Sequence, residues 1–201
     1  LAYDRVYLSS FFSGASADYL ALTTPAQYAQ WGVSVVTNAL VTDIDRDNKK
    51  VTTSEGQVFS YDKLVLATGS YPFVPPIPGN EQEHCLVYRT IDDLLAIEAS
   101  AAVSSVGVVV GGGLLGLEAA NALKQAGLDT HVVEFAPQLM AVQLDQAGGK
   151  VLKDKIEDLG VTVHTQKATQ SIEAGNTCRY KMVFADGTEL ETDMILFSAG
   201  I

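Results

Sequence analysis

The chain has 201 residues, room for one large domain or two small ones, and an ordinary globular composition with 17 glycines. A formal net charge of −11 with no clustered Lys or Arg excludes nucleic acid as a partner, because phosphate neutralisation needs concentrated positive charge. No apolar run is long enough to span a bilayer and no signal peptide opens the chain, so no membrane association is expected, and a reducing cytoplasm fits best. Cys85 and Cys178 lie far apart, without a C-x-x-C pair, a metal spacing or a disulfide framework. The chain opens on Leu1-Ala2-Tyr3 without a Met, and we expect it to be a piece of a longer protein.

Thr24-Pro25 reads as an N-cap with Pro at the first helical position, opening a helix toward Trp31. Val33–Val36 and Val41–Ile44 are strand-like, and Val51–Tyr61 reads as a hairpin turning near Ser54-Glu55-Gly56. Leu64-Val65-Leu66-Ala67 is a short apolar run suited to a strand buried on both faces. Pro72 to Gly79 holds four prolines and ends in Gly, so it predicts a stiff crossing loop and a domain boundary, dividing the chain into 1–79 and 80–201.

Thr90 is placed to cap a helix running to about Ser100. From there strands and helices alternate: strand Val106–Val110, helix Leu114–Ala126, strand Thr130–Phe135, a helix from Asp145 to Leu159 and strand Val161–His164. Such alternation predicts an α/β fold with a parallel sheet covered on both faces. β-type segments at Thr169–Glu173, Arg179–Phe184 and Glu189–Thr192 follow, with Asp186-Gly187 as a turn, and Met194–Ser198 closes the unit.

Gly111-Gly112-Gly113-Leu114-Leu115-Gly116 has the G-x-G-x-x-G spacing. Such a string alone can merely join a strand to a helix. Here a valine run precedes it, an Ala- and Leu-rich helix follows, and an acid ends the next strand. Gly111 makes the tight turn, Gly113 leaves room for a pyrophosphate, and Gly116 lets the helix approach the strand. The helix N-terminus then offers unpaired N–H groups and a partial positive charge to phosphates. Glu134 follows about twenty residues on, where a carboxylate accepts from adenosine ribose hydroxyls and repels a 2′-phosphate. NADH is the expected dinucleotide. Glu118 lies on the first turns of the same helix, and its spacing alone is that of a solvated helix-face carboxylate.

These residues resemble the flavoprotein reductases with two dinucleotide-binding domains, which carry both FAD and NAD(P)H. The resemblance rests further on Ser60-Tyr61-Asp62-Lys63-Leu64-Val65-Leu66-Ala67-Thr68-Gly69-Ser70-Tyr71-Pro72, similar to the family's second FAD motif, and on Tyr3-Asp4-Arg5-Val6-Tyr7-Leu8-Ser9-Ser10. Asp193-Met194-Ile195-Leu196-Phe197-Ser198-Ala199-Gly200 is similar to the strand that leads back toward the FAD domain. Within this family the chain is similar to the flavoprotein region of NADH-dependent assimilatory nitrite reductase large subunits, as in Leu8-Ser9-Ser10-Phe11-Phe12 and Glu134-Phe135-Ala136-Pro137-Gln138-Leu139-Met140.

The resemblance implies a Rossmann-like NAD-binding domain, with a β-meander, joined to an incomplete FAD-binding Rossmann-like domain. It implies hydride transfer from NADH to the flavin, and electrons passed on to an iron–sulfur and sirohaem region of the parent protein. It places Leu114 beside the nicotinamide pocket, Glu118 near the carboxamide, Leu115 and Gly200 in the NAD site, and Arg5, Ala67, Thr68 and Gly69 against FAD. The family's first FAD motif has no counterpart upstream of Tyr3, and Ser10 stands where many relatives have a Lys near the flavin. A weak hold on FAD is therefore expected, and a homodimer is one way to cover the sheet edge left bare. Alternatives are an NADH:rubredoxin or ferredoxin reductase, an NADH oxidase, or a dinucleotide-binding module without catalysis.

No individual catalytic residue and no metal site is assigned. His84, His131 and His164 have no ligand-like spacing and are expected to be structural. Cys85 beside His84 could form an activated thiol only with an orienting third group, and none is visible. Asp43-Ile44-Asp45-Arg46-Asp47 lacks the Gly and distal Glu of a calcium loop, so a solvated turn is expected.

Overall fold

The computed structural model describes residues 2–200, the Ser13 side chain excepted. A 3-10 helix over Leu8–Ser13 is followed by α1 (Ala17–Leu20), α2 (Pro25–Gln30), β1 (Val41–Asp45), β2 (Lys50–Thr53) and β3 (Val58–Ser60). Next come β4 (Cys85–Val87), α3 (Ile91–Ala101), β5 (Val106–Val110), α4 (Leu114–Gln125), β6 (Asp129–Val133), α5 (Gln146–Asp158) and β7 (Val161–His164). Three further strands, β8 (Thr169–Ala174), β9 (Tyr180–Phe184) and β10 (Glu189–Thr192), precede β11 (Met194–Phe197). No helix among the described residues is long and apolar enough to cross a membrane.

The chain divides into two compact units, one of Ala21–Ser70 with residues 2–3, the other of Asp4–Leu20 with residues 71–200. The division thus falls after Ser70 rather than at Gly79. The proline segment goes with the second unit because Val74 and Ile77 pack on its core and the Pro78 carbonyl accepts the Ile172 N–H. Asp4–Leu20 goes with it too: the Phe12 ring lies 6.0 Å from that of Tyr88.

In the smaller unit β1, β2 and β3 form an antiparallel meander. Asp45 closes the first turn by accepting the backbone N–H and side-chain amide of Asn48. Of the segment expected as a solvated turn, Asp43 to Asp45 instead end β1, and only Arg46 and Asp47 lie in the turn. Gly56, at φ +78°, closes the second. In α2 the Thr24 hydroxyl accepts the Gln27 N–H while the Gln27 side chain accepts that of Thr24, a reciprocal cap on the helix start. Two expected strands are absent: Val33–Val36 and Leu64–Ala67 are irregular and exposed, with Val65 at 84%. Neither run has a ladder partner among the described residues, and an unpaired strand keeps its N–H and C=O groups in water instead.

The larger unit is built on a five-stranded parallel sheet in the order β4-β11-β5-β6-β7. All four residues of β11 are buried, as are four of the five in β5, the pattern of a central parallel strand covered on both faces. α4 packs on β5 and β6, and α5 on β7. The antiparallel meander β8–β10 lays Ile172, Tyr180, Met182 and Phe184 against Val108, Val110, Val133, Ile195 and Phe197. Thr90 and Asp93 cap α3 reciprocally, and Asp145 caps α5 through the Gly148 N–H. β4 was not foreseen: it is three residues long, and its ladder partner β11 lies at the far end of the chain. An α/β fold with a parallel sheet is therefore the architecture, as the alternating pattern predicts.

Candidate functional site

β5 ends in a turn whose glycines have different reasons to be glycine. Gly111 is at φ +118°, and a Cβ there would lie 2.5 Å from the Ser198 carbonyl oxygen. A Cβ on Gly116 would lie 1.9 Å from the Gly111 carbonyl oxygen, so α4 can meet the turn only without a side chain. Gly112 is closed in by Leu139 and Glu134. Gly113 differs: nothing lies within 4 Å of a Cβ built on it, so its bareness serves space outside the protein's own packing. Gly113 is also the N-cap of α4, and no side chain caps that helix. Its first N–H groups are left without intrahelical partners, at the positive end of the helix dipole.

Glu134 stands one residue past β6, facing this turn. Its backbone N–H donates to the His164 carbonyl (2.8 Å). One carboxylate oxygen accepts the Gly112 N–H at 2.6 Å and the other accepts the Ala136 N–H at 2.7 Å. The carboxylate is therefore fixed against the glycine turn. Each oxygen retains a lone pair for a further donor. The loop that follows is tied back to the same turn, with the Met140 N–H donating to the Gly112 carbonyl at 3.0 Å and Leu139 fully buried.

Between these parts lies a cleft of about 570 Å³ bordered by Gly111, Gly113, Glu134, Lys167, Ser198 and Gly200. It sits at the carboxyl ends of parallel strands where the order reverses about β5, the place where open α/β sheets take ligands. Of the residues singled out in the sequence, Gly111, Gly113, Glu134 and Gly200 line this cleft, and Gly116 supports it from below. Leu114 and Leu115 expose their side chains on the first turn of α4. Glu118 faces a separate hollow of about 210 Å³ with Ser9, Ser10 and Asn121. Near it the Tyr88 hydroxyl is pushed up to about 12, by burial first and then by the Glu118 charge, against a hydrogen bond with Ser9.

Arg5, in the larger unit, is exposed. Ala67, Thr68 and Gly69, in the smaller unit, are exposed in an irregular segment, with Gly69 at φ +68°. The three histidines all have structural partners: His131 and His164 stack on neighbouring strands with Nδ1 and Nε2 3.0 Å apart, and His84 Nδ1 lies 2.8 Å from the Ser100 hydroxyl. Burial holds the Cys85 thiol up at about 11, the opposite of activation. Among the described residues no group of three or more His, Cys, Asp or Glu is arranged to hold a metal. Sequence reasoning missed Lys167 and Ser198 as cleft residues. Neither carried a distinguishing signal: Lys167 lies between β7 and β8, and Ser198 is the last residue of the expected strand Met194–Ser198.

Residues 1–201 match the pyridine nucleotide-disulphide oxidoreductase family. The chain belongs to that family. Over its whole length it is 56% identical to a nitrite reductase [NAD(P)H] large subunit of Klebsiella oxytoca and 54% identical to a nitrite reductase (NADH) large subunit of Escherichia coli K12. It spans only 21% and 24% of those two proteins. Among solved structures it is similar to a water-forming NADH oxidase from Lactobacillus brevis bound to NADH, at a TM-score of 0.90 and 25% identity, covering 98% of this chain and 45% of that one. The two cysteines of this chain, Cys85 and Cys178, are both free.

Proposed function

We propose that the cleft at Gly111 binds NADH, and that the chain is the electron-entry portion of a cytoplasmic NADH-dependent nitrite reductase large subunit. One observation carries this reading: an uncapped helix N-terminus opens beside a Gly113 with free space around it, opposite an acid held in place by two backbone N–H groups. The helix N-terminus and Gly113 would receive the pyrophosphate, and Gly111 and Gly116 hold that backbone in position. Glu134 would accept from the adenosine ribose hydroxyls through its free lone pairs, and its charge disfavours a 2′-phosphate. Gly200 and the first turn of α4, with Leu114 and Leu115, would border the nicotinamide half, and Glu118, one turn further along in the hollow with Ser9 and Ser10, would lie toward the carboxamide.

FAD is the second cofactor of this reading, and it supplies the hydride acceptor and the one-electron chemistry when bound. Arg5 and the small residues Ala67, Thr68 and Gly69 are the groups of this chain assigned to it. The names and greater length of the 54–56% identical relatives support a longer nitrite reductase parent; in this reading an iron–sulfur and sirohaem region of it would take the electrons. A homodimer belongs to the same reading and is checked by sizing. The test is a titration of the purified chain with NADH, NADPH and FAD, followed by calorimetry or fluorescence. Tight NADH, weak NADPH and little FAD are expected; absence of NADH binding would overturn the assignment of the cleft.

A further inference from the structure

The hydroxyl of Ser198 is one of two buried side-chain polar atoms without a hydrogen-bond partner among the described residues, and it is the one at the cleft. A buried hydroxyl left unsatisfied is costly, and native proteins rarely keep one without a use. Alanine at this position would keep the same Cβ and leave no polar atom to strand. Ser198 follows β11 directly, and its backbone is held on the neighbouring strand end. Its N–H donates to the Val110 carbonyl at 2.8 Å, and its carbonyl lies against Gly111, 2.5 Å from where a Cβ would stand. The side chain has one staggered torsion left free, and residue 198 as a whole is part-exposed and lines the cleft.

We propose that Ser198 is a binding residue for the dinucleotide, turning its hydroxyl about that torsion to hydrogen-bond a phosphate or ribose oxygen of the nicotinamide half. This rests on the reading of the cleft as an NADH site. The choice of half follows from strand order. Glu134 follows β6 on one side of β5, whereas Ser198 follows β11 on the other, and a dinucleotide laid across the reversal has its two nucleotides on opposite sides. In the free protein the hydroxyl is stowed without a partner, and the bound cofactor supplies one.

Ser198→Ala therefore has a crossed signature. The free protein melts at the same temperature or higher, because a stranded hydroxyl is removed. NADH binds about tenfold more weakly, the loss of one hydrogen bond to the ligand. AMP, which carries only the adenosine half, binds as it does to the parent chain. Calorimetric titration of both chains with NADH and with AMP, beside ligand-free melts, reads all three. Unchanged NADH affinity overturns the proposal, and so does a lowered melt, which would show a structural partner for the hydroxyl. An equal loss for AMP overturns the assignment to the nicotinamide half. A parent chain that binds neither ligand overturns the cleft reading itself, a result distinguishable from all of these because it precedes the substitution.

Discussion

The two units handle apolar strand sequence in opposite ways. In the larger one Met194-Ile195-Leu196-Phe197 is flanked by β4 and β5 and is buried at every position. In the smaller one Leu64-Val65-Leu66-Ala67, equally apolar, forms no strand, and Val65 and Leu66 are 84% and 67% exposed. Composition does not separate the two runs. Partners do: a parallel strand gains its stability from ladder bonds on both edges and from cover on both faces, and the second run has neither among the described residues.

The largest effect that would break this comparison is in β11. Phe197→Ala is expected to cost about 3–5 kcal/mol, because the ring is buried between the parallel sheet and the meander and its removal leaves a cavity. Leu66→Ala in the exposed run should change stability by less than about 0.5 kcal/mol. Denaturant melts of the two variants decide it, and equal losses would mean that the run at Leu66 is buried in solution. Gly116→Ala comes next. Its methyl meets the Gly111 carbonyl oxygen, so a loss of about 1–3 kcal/mol is expected together with loss of NADH binding, read by a melt and a titration.

Helix caps sharpen the contrast at a smaller scale, since both units use the same device. Thr90→Ala removes the cap of an eleven-residue helix that buries Leu94 and Ile97, and about 1 kcal/mol is expected. Thr24→Ala removes the cap of a six-residue helix with no buried residue, and its effect on the global melt should be smaller because less is packed on it. The smallest effect is in pH dependence. Glu191 accepts the N–H groups of Cys178, Asn176 and Thr177, and these bonds hold its carboxyl down at about 2 rather than the ordinary 4.5. A lowered carboxylate pKa gives stability that is full above the ordinary value and lost as pH falls toward the folded one. Melting temperature should therefore decline between about pH 4.5 and 2 partly through this group, and Glu191→Gln should flatten that slope.

Local chemistry was legible where neighbours in sequence settle it. Thr24-Pro25 and Thr90 announce helix starts because capping involves residues three apart, and Ser54-Glu55-Gly56 and Asp186-Gly187 announce turns because a left-handed residue is needed there. The glycine spacing and the acid about twenty residues on identified the cleft because one strand–turn–helix–strand unit holds all of its parts. That unit and the alternation of strand and helix are what the amino-acid order determined by itself.

Tertiary structure decided the rest. It left Leu64–Ala67 without a ladder, recruited Cys85–Val87 to the sheet edge, and carried the proline segment onto the meander. It also set both Glu134 oxygens on backbone N–H groups, brought His131 against His164, and stranded the Ser198 hydroxyl beside Gly111. Each of these depends on which strands become neighbours and in what register. A polar atom's partner, or its lack of one, is fixed only when chain segments distant in sequence meet.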